Sequence, residues 1–295
     1  MRNYNLNIAG YNIRFESAED GPELAPSARF LRNICDDKEP DILIRVHSGT
    51  LLLPDEAERV FHAPFVEEIK GIAVHHKTNF WSIWRSQTDL YIKSVLPLCA
   101  DDSHAVLAFS LDKCDWDLWM DCPGKEVDPL DYPLDGLILY YLTVINGDIL
   151  IHASGVNHSG HGYLFSGVSG KGKSTISRLC ENAGAKVIHD DRLVIRKRGN
   201  GYMMYNTPVY NNDAPNESPF HKIFIIDHDT SNKFFPVKGA SAISLVMANC
   251  IQHNWGSEII AKLLISVSVM CETIPVARLF FVPDQSITDL ILENE

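Results

Sequence analysis

Residues 167–175 read Gly-Val-Ser-Gly-Lys-Gly-Lys-Ser-Thr, a run that leaves few folds open to this chain. Gly167, Gly172, Lys173 and Ser174 fill the four fixed places of the pattern Gly-x-x-x-x-Gly-Lys-Ser. Such a loop works between a strand and a helix. Successive backbone N–H groups and the helix N-terminus then supply the positive field that a polyphosphate needs. The flanks agree. Tyr163-Leu164-Phe165 enters as a strand, while Ile176, Leu179 and Cys180 recur at helical spacing behind the loop, with Gly184 placed to end the helix. The run Gly167, Val168, Ser169, Gly170, Lys171, Gly172, Lys173, Ser174 and Thr175 is therefore expected to bind ATP through its phosphates. Lys173 is expected to reach the β and γ phosphates, and the Ser174 hydroxyl to ligate Mg²⁺.

Bulk properties narrow the class. The 295 residues suggest one large or two modest domains. A net charge of −12 argues against a nucleic-acid partner or an anionic membrane surface. Seven scattered cysteines contain no Cys-x-x-Cys pair, which argues against a disulfide framework and for a cytoplasmic setting. No stretch reaches the ~18 uninterrupted apolar residues of a membrane helix.

The first ~125 residues alternate apolar and polar positions in short runs (5–9, 11–15, 42–46 and 80–84), predicting a β-rich N-terminal domain over 1–125. Trp81, Trp84, Trp116 and Trp119 are expected to be large residues of its core. The Pro- and charge-rich segment 122–133 is the expected boundary, with a helix from Leu134 opening the second domain, 126–295. Then come a buried strand near 148–156, a polar turn at 157–162, the loop and its helix, and a strand over Lys186–His189. A hairpin follows over 193–205, then a strand at 223–226, helices near 238–252 and 257–271, a strand at 276–281 and a last helix after Pro283.

Phosphoryl transfer needs more than a phosphate cradle. Asp190 and Asp191 end the strand after the loop helix, so the acid pair and the loop should project to the same sheet edge. One carboxylate can hold Mg²⁺ and the other can take the proton of an attacking hydroxyl. Asp190 is assigned as base and Asp191 as metal ligand. His152, at the end of Ile149-Leu150-Ile151, is a third candidate, as ligand or as positioner of the base.

Together these residues resemble the HPr kinase/phosphorylase family and the related phosphoenolpyruvate carboxykinases. The resemblance runs from His152-Ala153-Ser154-Gly155, through the loop, to His189-Asp190-Asp191-Arg192, and extends over Asn206-Thr207-Pro208 and 276–284. It implies an α/β, carboxykinase-like P-loop domain with a mixed sheet, preceded by the β-rich N-terminal domain, and ATP-dependent phosphotransfer to a hydroxyl. In the carboxykinases the corresponding His and one Asp bind metal, and in the HPr kinases the Asp-Asp pair supplies a metal ligand and a base. The chain lacks the bifunctional enzyme's glycine-rich signature downstream of the acid pair, and its N-terminal part is unlike that of true HPr kinases. The reading is thus an ATP- and Mg²⁺-dependent kinase acting on a hydroxyl, of serine type, in a peptide, protein or small molecule. A homo-oligomer is compatible with it. The competing reading is an ATP-binding regulatory or assembly module without phosphotransfer.

Overall fold

A computed structural model describes all residues except 37, 64–67, 70–71, 74–79, 100–102, 209–212, 254 and 293–295. The chain divides into two compact units, Met1–Ile145 and Asn146–Glu295.

The first unit contains β1 (Asn3–Ile8), β2 (Tyr11–Ser17), β3 (Glu23–Leu24), β4 (Ile34–Cys35), β5 (Ile42–Ser48), β6 (Glu58–His62), β7 (Glu68–Ile69) and β8 (Ile72–Ala73). It continues with β9 (Trp81–Ser86), β10 (Asp89–Val95), β11 (His104–Phe109), β12 (Asp115–Asp121), β13 (Glu126–Val127) and helix α1 (Leu134–Asn146). Nine of these strands form one sheet in the order β4-β1-β2-β5-β12-β11-β10-β9-β6. Alternation decides which face is buried: Tyr11, Ile13 and Phe15 of β2 point inward, as do Ile42, Ile44 and Val46 of β5.

Two expectations change here. The segment 122–133 is tied into the first unit: β13 pairs with β3, and the Asp128 carboxylate accepts from the backbone of Ser27 and Leu130. Helix α1 belongs with this unit, because Tyr141 packs on Phe109 and Asp135 pairs with Arg29 at 2.7 Å. Of the four tryptophans, Trp116 alone is fully buried. Trp119 lies on the opposite face of β12 and stacks on His47, and Trp84 lies beneath Arg59 and Lys93.

The second unit holds β14 (Ile149–His158), β15 (His161–Ser166), α2 (Lys173–Asn182), β16 (Lys186–His189), β17 (Arg192–Arg198), β18 (Gly201–Asn206), β19 (Glu217–Phe220), β20 (Lys222–His228) and β21 (Lys233–Val237). After these come α3 (Gly239–Met247), α4 (Ser257–Thr273), β22 (Val276–Phe281) and α5 (Ser286–Leu292). Its sheet runs β19-β18-β17-β14-β15-β20-β22-β21, with β16 also beside β14. The pairs β15/β20 and β20/β22 are parallel and the rest antiparallel, so the sheet is mixed. Both faces are covered. Leu164, Ile223 and Val276 pack under α3 and α4, while Phe165, Phe224 and Leu279 pack under α2 and α5. Burial on both faces explains why the central strands read as unbroken apolar runs.

Three local differences matter. The turn expected over 157–162 shrinks to Ser159-Gly160, both at positive φ, and the flanking residues extend the strands. The helix expected near 238–252 stops at Met247. Residues 249–251 then pair with β14: His152 N donates to Asn249 O at 3.1 Å, and Ile251 N to Leu150 O at 2.8 Å. This end of β14 lies beyond the reach of β15, and its backbone groups need partners. Strand β21 was hidden from the pattern by Pro236, which an edge strand tolerates.

Candidate functional site

The glycine-rich loop expected to bind phosphate leaves β15 at Ser166 and opens into α2 at Lys173. Gly167 is closely packed, since a Cβ there would lie a tight 3.1 Å from Ile226 O. Gly170 and Gly172 adopt φ of 81° and 89°, and Gly172 serves as the helix N-cap. Lys173 folds onto its own loop: Nζ donates to Gly167 O at 2.8 Å and to Val168 O at 3.4 Å. Burial lowers the Lys173 pKa, and the nearby Asp191 and Asp190 pull it back up. The exposed Ser174 opens the first turn of α2. Lys171 pairs with Asp227 Oδ1 at 2.7 Å.

The acid pair lies where one edge of β14 changes partner. Residues 155–157 of β14 pair with β16, and residues 149–152 pair with β17. Asp190 and Asp191 fill the break, and Ala153 N donates to Asp191 O at 3.0 Å. His189 organises this turn: its Nδ1 accepts from the N–H groups of Asp191 at 3.1 Å and Arg192 at 3.3 Å. That leaves the ring proton on Nε2. Burial lowers the His189 pKa, opposed chiefly by Asp191.

Strands β15 and β16 both run antiparallel to β14, so their carboxyl ends share one edge. Ser177 Oγ, one turn into α2, lies 3.4 Å from Asp190 Oδ1. His152 Nδ1 is 3.2 Å from Asp191 Oδ1, and Arg192 Nε is 3.3 Å from Asp191 Oδ2. The His152 backbone is itself held, its carbonyl accepting from Ser166 Oγ at 2.8 Å. His152, Lys173, Asp190 and Asp191 thus gather at one sheet edge. Asp191 is pinned and half-buried, and Asp190 is exposed.

The sequence reading missed several contributors. His189 and Ser177 shape the acid turn, and Asp227 and His228 end β20 beside the loop. A Cβ on Gly172 would meet His228 Cε1 at 3.2 Å and Phe281 Cζ at 2.8 Å. No motif marks Asp227 and His228. Their signal is only their place at the carboxyl end of β20, a strand that runs parallel to β15.

The donor set fits Mg²⁺. A hydroxyl and two carboxylates are hard oxygen ligands, and Asp191 Oδ2 is buried with no hydrogen bond beyond its 3.3 Å ion pair to Arg192. Among the described residues no group of three or more His, Cys, Asp or Glu side chains is placed to hold a metal unaided. Mg²⁺ commonly needs only one or two carboxylates, with nucleotide phosphates and water supplying the rest.

No family model and no curated protein matches the chain. Among solved structures, the chain is similar to the Hpr(Ser) kinase/phosphatase from Coxiella burnetii. The likeness has a TM-score of 0.30 and 14% identity, over 48% of this chain and 90% of that one. At that level it supports no conclusion about fold or chemistry. Among the described residues no helix is long and apolar enough to cross a membrane.

Proposed function

We propose that the second unit is a carboxykinase-like P-loop domain. In this reading it transfers the γ-phosphate of ATP to a hydroxyl, of serine type, in a peptide, protein or small molecule. The reading rests on one observation: an Asp-Asp turn in contact with the helix that the phosphate loop opens, through Ser177 Oγ to Asp190 Oδ1 at 3.4 Å.

Backbone N–H groups of Gly167–Thr175 and the start of α2 cradle the phosphates. Lys173 Nζ exchanges Gly167 O for phosphate oxygens and offsets the charge that develops there. Ser174 and Asp191 would hold Mg²⁺, which when bound neutralises and orients the β and γ phosphates. His152 and Arg192 fix the Asp191 carboxylate. Asp190, exposed and free of an ion pair within the described contacts, takes the acceptor's proton as the oxygen–phosphorus bond forms. The bond from γ-phosphorus to the bridging oxygen breaks, and ADP leaves.

The test is γ-labelled ATP incubated with the chain and cell extract. Lys173→Ala and Asp191→Asn should each cut labelling by at least about 100-fold. Wild-type labelling by Asp191→Asn would sink the mechanism.

A further inference from the structure

Strand β20 lines both ends of the glycine-rich loop. Its register sets Ile225 beside Ser166, the last residue of β15, so β20 runs on past the point where β15 gives way to the loop. At the start of the loop, a Cβ on Gly167 would lie 3.1 Å from Ile226 O. At its end, a Cβ on Gly172 would lie 3.2 Å from Cε1 and 3.6 Å from Nε2 of His228. Residues 168–170, between the two, are exposed. Both fixed glycines of the motif are therefore set against one strand end, and His228 stands at the glycine that opens into α2.

Three contacts place the His228 ring. Its backbone N–H donates to Asp227 Oδ1 at 2.9 Å, and the same oxygen accepts from Lys171 Nζ of the loop at 2.7 Å. The ring packs on Phe281, with centroids 5.1 Å apart and planes tilted by 35°. Phe281 is fully buried, so it holds that side of the imidazole in place. His228 itself is exposed, and among the described residues neither ring nitrogen has a hydrogen-bond partner. An imidazole carries at least one N–H donor in either protonation state. The first N–H groups of α2 open at the same glycine. In a loop of this pattern those groups cradle the α and β phosphates, while the Lys reaches on to γ. A donor at Gly172 thus stands nearest the α and β phosphates, away from the bond that changes in transfer.

We propose that His228 is a nucleotide-binding residue whose Nε2–H donates to the α or β phosphate. That role rests on the kinase reading above and adds a contact which the motif does not contain. A bond made alike to ATP, to ADP and in the transition state tightens nucleotide binding without speeding the chemical step.

The experiment is calorimetry of the full chain with Mg²⁺ and either ATP or ADP, beside labelling of cell extract from γ-labelled ATP. His228→Phe keeps an aromatic ring on Phe281 and removes the donor. It should weaken ATP and ADP by the same factor, at least about tenfold. Labelling at saturating ATP should stay within about threefold of wild type. His228→Gln restores an N–H donor without a ring and should recover most of the lost affinity. A ring that only packed on Phe281 would give the opposite order, with Phe tolerated and Gln costly. Hydrogen exchange of β22 amides at the wild-type level reports that both variants fold.

Unchanged affinity in His228→Phe, a loss for ATP alone, no recovery in His228→Gln, or a labelling defect that saturating ATP does not restore overturns the role of His228. Each leaves the kinase reading standing. Binding of both nucleotides that depends on His228, with no labelling by the wild-type chain, upholds the role and sinks the kinase reading. A wild-type chain that binds neither nucleotide overturns both.

Discussion

Gly172→Ala probes the junction between the phosphate loop and its supporting strands. Two costs add. Gly172 sits at φ 89°, and an L-residue there costs about 1–2 kcal/mol. The new Cβ would also lie 2.8 Å from Phe281 Cζ. Phe281 is fully buried, so its ring cannot swing into solvent, and displacing a packed ring costs about 1–3 kcal/mol more. The sum is about 2–5 kcal/mol.

Gly170→Ala is the matched control. Its φ is 81°, and a Cβ there meets nothing within 4 Å, so only the backbone cost of about 1–2 kcal/mol applies. Native-state hydrogen exchange of amides in β15 and β22 reads the stability of this unit alone. The two variants should differ by about 1–3 kcal/mol, the ring's share of the cost. Phe281→Leu removes the Cζ atom that the new methyl would meet. A double-mutant cycle combining it with Gly172→Ala should therefore show coupling of at least about 1 kcal/mol. Equal destabilisation by the two alanines, within about 0.5 kcal/mol, would refute the packing argument.

Two other perturbations follow from charge. In the first unit, burial pushes the Asp131 carboxyl up to about 6, from an ordinary 3.8. A raised folded pKa means that stability is fully present below pH 3.8 and is lost as pH rises through about 6. Asp131→Asn should therefore stabilise this unit by about 1–2 kcal/mol at pH 7.5 and by almost nothing near pH 4, as read by urea unfolding at the two pH values. A less stable variant at pH 7.5 would contradict it. In the second unit, Asp227 pairs with Lys171 of the glycine-rich loop at 2.7 Å, and on the kinase reading it competes with the phosphates for that cation. Asp227→Asn should tighten ATP binding about two- to fivefold by calorimetry, with little change in stability because the pair is exposed. Weaker binding would show that Asp227 supports the loop.

The loop was legible because its chemistry is local. Glycines at positive φ, a strand before and a helix after all fall within a short window. The strand that carries Asp190 and Asp191 was legible for the same reason. What escaped the sequence was non-local. Phe281 and His228 reach Gly172 only because β20 and β22 run parallel to β15, and register between distant strands leaves no periodic mark. The helix expected to run to 252 was cut short by a tertiary demand: the backbone of β14 needed partners, and residues 249–251 left the helix to supply them. The boundary at 122–133 misled for a related reason. Proline and charge mark irregular backbone, and here that backbone is bound through β13, Asp128 and Arg29 instead of linking two bodies.

Strand β14 serves β15 along one edge and β16, then β17, along the other, with the acid turn at the changeover. His152, Lys173, Asp190 and Asp191 consequently fall within one uninterrupted span, Ile149 to Arg192, a β14/β15 hairpin followed by a crossover through α2 to β16 on the other side of β14. Such a segment is portable in principle, because no long-distance loop delivers any of the four side chains. It is also intolerant in a specific way. A one-residue deletion in β14 would reverse the facing of its side chains and shift both halves of the site at once. Changes of length belong instead at Ser159-Gly160 and at Gly184, where the chain turns away from the reacting edge.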